Sequence, residues 1–303
     1  MAGEIPSRLR LDRYAALYLK LLSRSQIKAK NLKAKVNGKE VKISRLLKAG
    51  DFLELFWNDR EPPDLIPEDL PLDIMYEDGR VVVINKEQGM VVHPGAGNHR
   101  GTLANALLWR RRNLGGAGEG FRPGIVHRLD KDTSGVIIAA YDDEALAFLS
   151  SQFKERSVRK IYAAIVRGGP AENRGKVETR ITRDKRDRKK FTVSETTGKP
   201  AVTAYRVIRR WEGYSLLLLR PYTGRTHQIR VHLLHLGCPI LGDPLYNGQK
   251  DKKFKNATLM LHAKSLSIQL PFSAENALPS PRRFSIPLPE RFRKIIRLLG
   301  MRR

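Results

Sequence analysis

The sequence predicts an α+β protein: a large, mostly antiparallel but mixed sheet, preceded by a small N-terminal α/β module. Three observations predict it. RVVVINK (80–86), SGVIIAAY (134–141), KIYAAIVRG, AVTAYRVIRRW and YSLLLLRPY are apolar, β-branched runs of strand length. DDEALAFLSSQFKE (142–155) has helical spacing, and the order strand, helix, then several strands belongs to α+β domains. The chain of 303 residues accommodates about two domains at ~150 residues each. The acid- and proline-rich stretch NDREPPDLIPEDLP reads as the connection between them. The division expected is a module over 1–58, a linker over 59–71 and the larger domain over 72–303.

In the module, LRLDRYAALYLKLL places Leu11, Tyr14, Ala15, Tyr18, Leu21 and Leu22 on one helical face. Ser23 stands three residues before Gln26, a capping-box pattern opening a second short helix, and Asn31 can close that helix in a left-handed turn. Asn37-Gly38 in VNGKEVK is a tight hairpin turn between short strands, and GDFLELF alternates like a third strand. In the larger domain, RDKRDRKK (183–190) reads as a solvated, mobile loop able to grip phosphates. At the C-terminus, ERFRKIIRLLGMRR puts Phe292, Ile295, Ile296 and Leu299 on the buried face of a helix docked on the core.

The chain carries 57 Lys and Arg against 31 Asp and Glu, a formal charge of +26. A hydrophobic content of 41% is enough for a packed core, so this is not a disordered basic tail. The charge points to a polyanionic partner bound with strong salt dependence. No apolar stretch approaches the ~18 residues of a membrane span, no lipidation motif occurs, and MAGEIPSRLRLDRY lacks the apolar core of a secretion signal. Cys238 is the single cysteine, which excludes an intrachain disulfide and paired-cysteine zinc sites; a reducing cytoplasm fits, with Cys238 as a small buried side chain.

Nucleotide hydrolysis, dinucleotide chemistry and zinc proteolysis find no motif here: there is no P-loop, no G-x-G-x-x-G after a strand and no H-E-x-x-H. His227, His232 and His235 have no acidic or thiol ligands clustered with them, so structural or RNA-contacting roles are expected and no metal. GIVHRLDKDTSGV (124–136) is the distinctive segment. It sets Asp130 between Arg128 and Lys131, in a polar loop just before a buried strand. Exposing an anion beside phosphate gains a nucleic-acid surface nothing. Asp130 either ties down a cation or performs chemistry that needs a carboxylate beside RNA or DNA. RKIYAAIV adds Tyr162, two residues from Lys160 within a strand, and RPYTGRTHQIRVHLLHLGCPILGDPLY adds Arg225 after a Thr-Gly turn.

Residues 1–60 carry 14 Lys and Arg against 6 Asp and Glu, +8, and with LSRSQIK and KVNGKEVK they resemble the S4 RNA-binding domain. Asn31 stands where a glycine is common there, and asparagine tolerates the same left-handed geometry. From Leu72 to the HAKSL segment near His262, the three segments above, with PLDIMYED, VVHPGAGN and GTLANALL, resemble the RluA family of pseudouridine synthases. VVHPGAGN and GIVHRLDKDTSG are most similar to its ribosomal large subunit synthase D group. The resemblance implies isomerisation of specific uridines, in large-subunit ribosomal RNA, with Asp130 as nucleophile. Atoms are conserved in that reaction, so no cofactor is expected. It further implies that Tyr162 stacks under the uracil or moves a proton and that Arg225 pairs with Asp130. Arg128 would fill the gap left by the flipped base. Lys131 is expected on phosphate, His127 on RNA or, preferably, fixing the loop, and Arg24 and Lys28 on RNA from the S4-like module. Asp132 and Thr133 read as turn and cap residues. A monomer with RNA as partner is expected. The competing readings are a non-catalytic RNA-binding ribosome-assembly factor, a relative acting on tRNA, and an aspartate glycoside hydrolase, which would need a second carboxylic acid.

Overall fold

The computed structural model describes residues 9–19, 22, 27, 31–57, 65–95, 97–114, 123–247, 251–271 and 281–301. The chain divides into two compact units, Met1–Asp64 and Leu65–Arg303. In the first, helix α1 (Leu11–Leu17) and a sheet ordered β2-β1-β3 surround a core of Leu11, Tyr14, Ala15, Ala34, Val36 and Leu47. β1 (Lys33–Val36) and β2 (Lys39–Val41) are joined by Asn37 at φ 53° and Gly38 at φ 76°, the paired left-handed geometry of a tight hairpin, and β3 (Leu53–Phe56) flanks β1. Asn31 adopts φ 50°. Helix α1 is shorter than its apolar spacing suggested. It ends at Leu17, and Tyr18, expected inside, is exposed and stacks on Tyr14 at 5.6 Å. Ser23, Arg24, Gln26 and Lys28 lie outside the described residues.

The second unit holds an eleven-stranded sheet among the described residues. β4 (Ile74–Glu77) and β5 (Val81–Lys86) form one edge, followed by β7 (Ser134–Ala140), β13 (Leu261–Ile268), β8 (Arg159–Arg167), β12 (Tyr214–Pro221), β11 (Lys199–Trp211), β9 (Arg174–Arg183) and β10 (Phe191–Ser194). The short β6 (Gly124–Ile125) pairs with β7 and β14 (Arg282–Ser285) with β13. All pairings are antiparallel except β13 with β7, so the sheet is mixed as expected. Its faces are covered by α2 (Leu103–Asn113), α3 (Asp143–Glu155), α4 (Gln228–His235) and α5 (Glu290–Gly300). The last buries Phe292, Ile295 and Leu299 against β8 and β12, with Ile296 partly buried beside them.

Residues 65–71, placed by composition in the linker, are partly tied to this unit: the Asn105 amide donates to Ile66 O at 2.7 Å and the Gly101 N–H to Glu68 Oε2 at 3.0 Å. Residues 184–190 form the hairpin turn between β9 and β10, with Asp184 Oδ1 accepting from the N–H groups of Arg186 (2.7 Å) and Asp187 (2.9 Å). Asp187 Oδ1 likewise accepts from Lys189 N–H at 2.9 Å, so two aspartates in the basic, mostly exposed run satisfy backbone groups of the turn. No helix among the described residues is long and apolar enough to cross a membrane.

Candidate active site

The sheet register assembles the site. Tyr162 on β8 pairs with Ala263 on β13, and Ala263 pairs with Gly135 on β7, so the three lie in a row across adjacent strands. Gly135 has φ +121°, and a Cβ there would fall 2.3 Å from Ala263 O, so β13 can approach only a glycine. Asp130 stands five residues earlier, in the loop between β6 and β7, and lines the same cavity as Tyr162. The loop is held from both sides. Thr133 N–H donates to Asp130 O at 3.0 Å, closing a turn. The buried Lys86 donates from Nζ to Glu87 O, Met90 O and Lys131 O at 2.8, 2.8 and 3.1 Å. Gln88 Nε2 donates to Asp132 O at 2.8 Å. Burial pushes the Lys86 ammonium down to about 8, against the pull of Asp132 and Asp130.

A cavity of about 420 Å³ opens over this row, lined by Asp130, Tyr162 and Arg225 among others. Its volume falls within the ~300–1,000 Å³ of small-ligand sites. Tyr162 is half-buried, and burial together with the Asp130 charge raises its phenol above the ordinary range, so it stays neutral and can donate. Arg128 is exposed at the cavity wall. Lys131 is exposed on the same loop. His127 turns inward: its Nε2 accepts from Ile138 N–H at 3.1 Å and its ring stacks on Phe153 at 4.6 Å. Burial and the nearby Lys160 push its pKa down to about 3, so it is neutral and splints the loop to β7.

Arg225 is not the partner of Asp130. It lines the cavity, but its Nε donates to Pro200 O at 3.0 Å. The guanidinium at Asp130 is that of Arg230, five residues on, with Nη1 at 3.3 Å from Oδ2. The reason is helical geometry. The Gln228 side chain accepts from Arg225 N–H (3.0 Å) and donates to Val202 O (3.0 Å) and Thr203 Oγ1 (2.9 Å), fixing the start of α4 so that Arg230 faces the carboxylate. Arg230 also forks onto Asp243 through Nε and Nη2, both at 2.7 Å. Asp243 is itself braced by the N–H groups of Leu245 and Tyr246. His227, at φ 56°, brings Nε2 to 4.0 Å from Asp130 and shares a hydrogen bond with Tyr246. Sequence reading missed Arg230, Asp243, Lys86 and Gln88. Arg230 lies in the same quoted segment as Arg225, and recognising HQIRVHLLH as a helix was the available signal for preferring it.

Among the described residues, no group of three or more His, Cys, Asp and Glu side chains could hold a metal ion. The geometry is that of a buried-arginine-anchored carboxylate and a neutral phenol lining one cleft of small-ligand size. Comparison with known proteins agrees with it. A family model described as "RNA pseudouridylate synthase" matches residues 80–235. A relative from Borreliella burgdorferi, "Ribosomal large subunit pseudouridine synthase D", is 44% identical over 94% of this chain and 87% of its own. An uncharacterised RNA pseudouridine synthase of Chlorobaculum parvum is 40% identical over 95% of this chain and 93% of its own. The solved structure of human RNA pseudouridylate synthase domain containing 4 aligns with a TM-score of 0.60 at 29% identity, covering 75% of this chain and 92% of that one.

Proposed function

The chain belongs to the RNA pseudouridylate synthase family, to its RluA branch, and from that premise we propose how its residues turn uridine into pseudouridine and in which RNA. Asp130 is the nucleophile that takes C1′ of the target ribose as the C1′–N1 bond breaks. The observation carrying this reading is the Arg230–Asp130 contact at 3.3 Å on the cavity wall, because it aims one carboxylate oxygen while leaving the group partly exposed to a substrate. Since the product is an isomer of the substrate, the reaction needs neither an external oxidant nor a group donor.

Tyr162 lies under the extruded uracil and keeps its proton, which suits a stacking and hydrogen-bonding role. Extruding a paired base costs a few kcal/mol, and Arg128, exposed beside the cleft, fills the vacated stack. Lys131 contacts phosphate. His127, already engaged by Ile138 N–H, acts by holding the loop. Arg225 contributes charge at the cavity wall. The first unit serves as an S4-like RNA-binding module, and Arg24 and Lys28 contribute charge to RNA binding. The substrate is large-subunit ribosomal RNA, a reading supported by the name of the Borreliella relative, and the enzyme acts as a cytoplasmic monomer.

Two measurements test the proposal. Asp130→Asn should abolish tritium release from [5-³H]uridine-labelled RNA while filter binding persists; release at the wild-type rate removes Asp130 from the chemistry. Mapping pseudouridine in RNA from cells with and without the protein should show sites lost in large-subunit ribosomal RNA. Losses confined to tRNA would overturn the substrate.

A further inference from the structure

One ammonium in the cavity has no assigned role. Lys160 precedes Tyr162 by two residues on β8, so both side chains occupy the same strand face, roughly 7 Å apart along the strand. It is half-buried, and its Nζ lies 6.0 Å from the Phe153 ring centroid. Gly224 leaves the space beside Nζ open, since even a Cβ there would come no nearer than 4.0 Å.

The other cations of the site are committed or solvated. Arg230 is shared between Asp130 and Asp243, Arg225 Nε is on a backbone carbonyl, and Arg128, Lys154 and Arg156 are exposed. Lys86, a fully buried ammonium, is satisfied by three carbonyls. Lys160 has no hydrogen-bond or carboxylate partner among the described residues, and burial alone depresses its pKa. Such a desolvated, unpaired charge is costly in the free protein and finds its partner in a bound ligand.

We infer that Lys160 is a catalytic residue that places its ammonium on a carbonyl oxygen of the uracil ring and stabilises the negative charge the base carries once it is detached. The inference rests on the assignment of Asp130 to the ribose. When C1′–N1 breaks, the bonding pair stays with the ring and spreads from N1 to the two carbonyl oxygens, while C1′ takes a pair from the carboxylate. When C5 then attacks C1′, the carboxylate leaves with its pair, C5 gives its proton to solvent and N1 takes one up. The charge is largest in the interval between these steps. Tyr162 lines the cavity together with Asp130 and shares a strand face with Lys160, so a base stacked on that phenol can present a carbonyl edge to the ammonium. A fixed cation there, in a partly water-excluded cleft, acts more strongly on the intermediate than on neutral uridine.

The experiment uses the full chain in excess over [5-³H]uridine-labelled total RNA from cells lacking the protein, which contains the substrate whichever RNA that is. Lys160→Met should lower the single-turnover rate of tritium release about 100-fold or more at saturating enzyme, the usual size of losing one such donor. The enzyme concentration for half-saturation should stay within about threefold, and Lys160→Arg, which keeps the charge, should recover most of the rate. An unchanged saturated rate in Lys160→Met overturns the inference. So does a loss confined to half-saturation with a shallower salt dependence, which marks a phosphate contact instead. Asp130→Asn assayed in parallel separates the two assignments: retained release there refutes the nucleophile, whatever Lys160→Met does.

Discussion

The guanidinium beside Asp130 is shared, and that sharing sets what single substitutions do. Asp243 has a side chain only 1% exposed and relies on Arg230 for its charge balance. Arg230→Met would leave that carboxylate buried and unpaired, at a cost of about 3–5 kcal/mol, read as a lower urea midpoint. Arg230→Lys keeps a charge but cannot fork, so it should lose at least 100-fold in tritium release with a smaller stability loss. Arg225→Ala should lose less than tenfold; a loss equal to that of Arg230→Lys would return the pairing role to Arg225. Lys86 adds a pH effect of definite sign. Its pKa falls from an ordinary 10.5 to about 8 in the folded chain. Between those values the unfolded chain binds more protons, so this group's contribution to stability rises with pH across the window and its burial penalty is complete below about 8. The stability difference between wild type and Lys86→Met should therefore move in favour of wild type from about pH 7.5 to 10, measured by urea titration. A difference independent of pH would contradict it.

Elements were legible where periodicity was strong. β5, β7, β8, β11, β12, α3 and α5 all lie where apolar runs or helical spacing placed them, because each packs apolar side chains against the sheet core. Helix α2 did not announce itself: its first six residues are all buried, from Leu103 to Leu108, so it lacks an amphipathic stripe. The turn at 184–190 is solvated as expected, and its aspartates, counted as charges in the sequence, also serve as backbone acceptors. Gly135 shows how one element depends on another. Gly135→Ala combines a left-handed backbone with a Cβ driven into Ala263 O, and since neither strand can shift without moving the Asp130 loop, the loss should be about 2–4 kcal/mol by thermal or urea unfolding. A variant as stable as wild type would show that β13 and β7 can separate.

At the scale of the whole molecule, the charge of +26 acts on affinity, not on fold. If the chain neutralises about 6–10 phosphates, its affinity for RNA should fall roughly 10³–10⁵-fold between 50 and 200 mM salt. A nearly flat salt profile in filter-binding assays would contradict a phosphate-gripping surface. The two units bury separate cores, Leu11 to Leu47 in the first and the sheet clusters in the second, so each has its own apolar source of stability.

Strand and helix periods are local properties, and by themselves they determined the fold class and the position of Asp130 in a loop before a buried strand. The charge balance pointed only to a polyanionic partner, and the RNA-modifying chemistry came from the resemblance of GIVHRLDKDTSGV and its companion segments to a known family. Which arginine meets that carboxylate is a different kind of question. It turns on where α4 begins, on Gln228 clamping Arg225 N–H to the neighbouring strand, and on Asp243 waiting thirteen residues beyond Arg230. Such pairings are decided by side chains from distant segments competing for one direction in space, and only the packed tertiary structure resolves that competition.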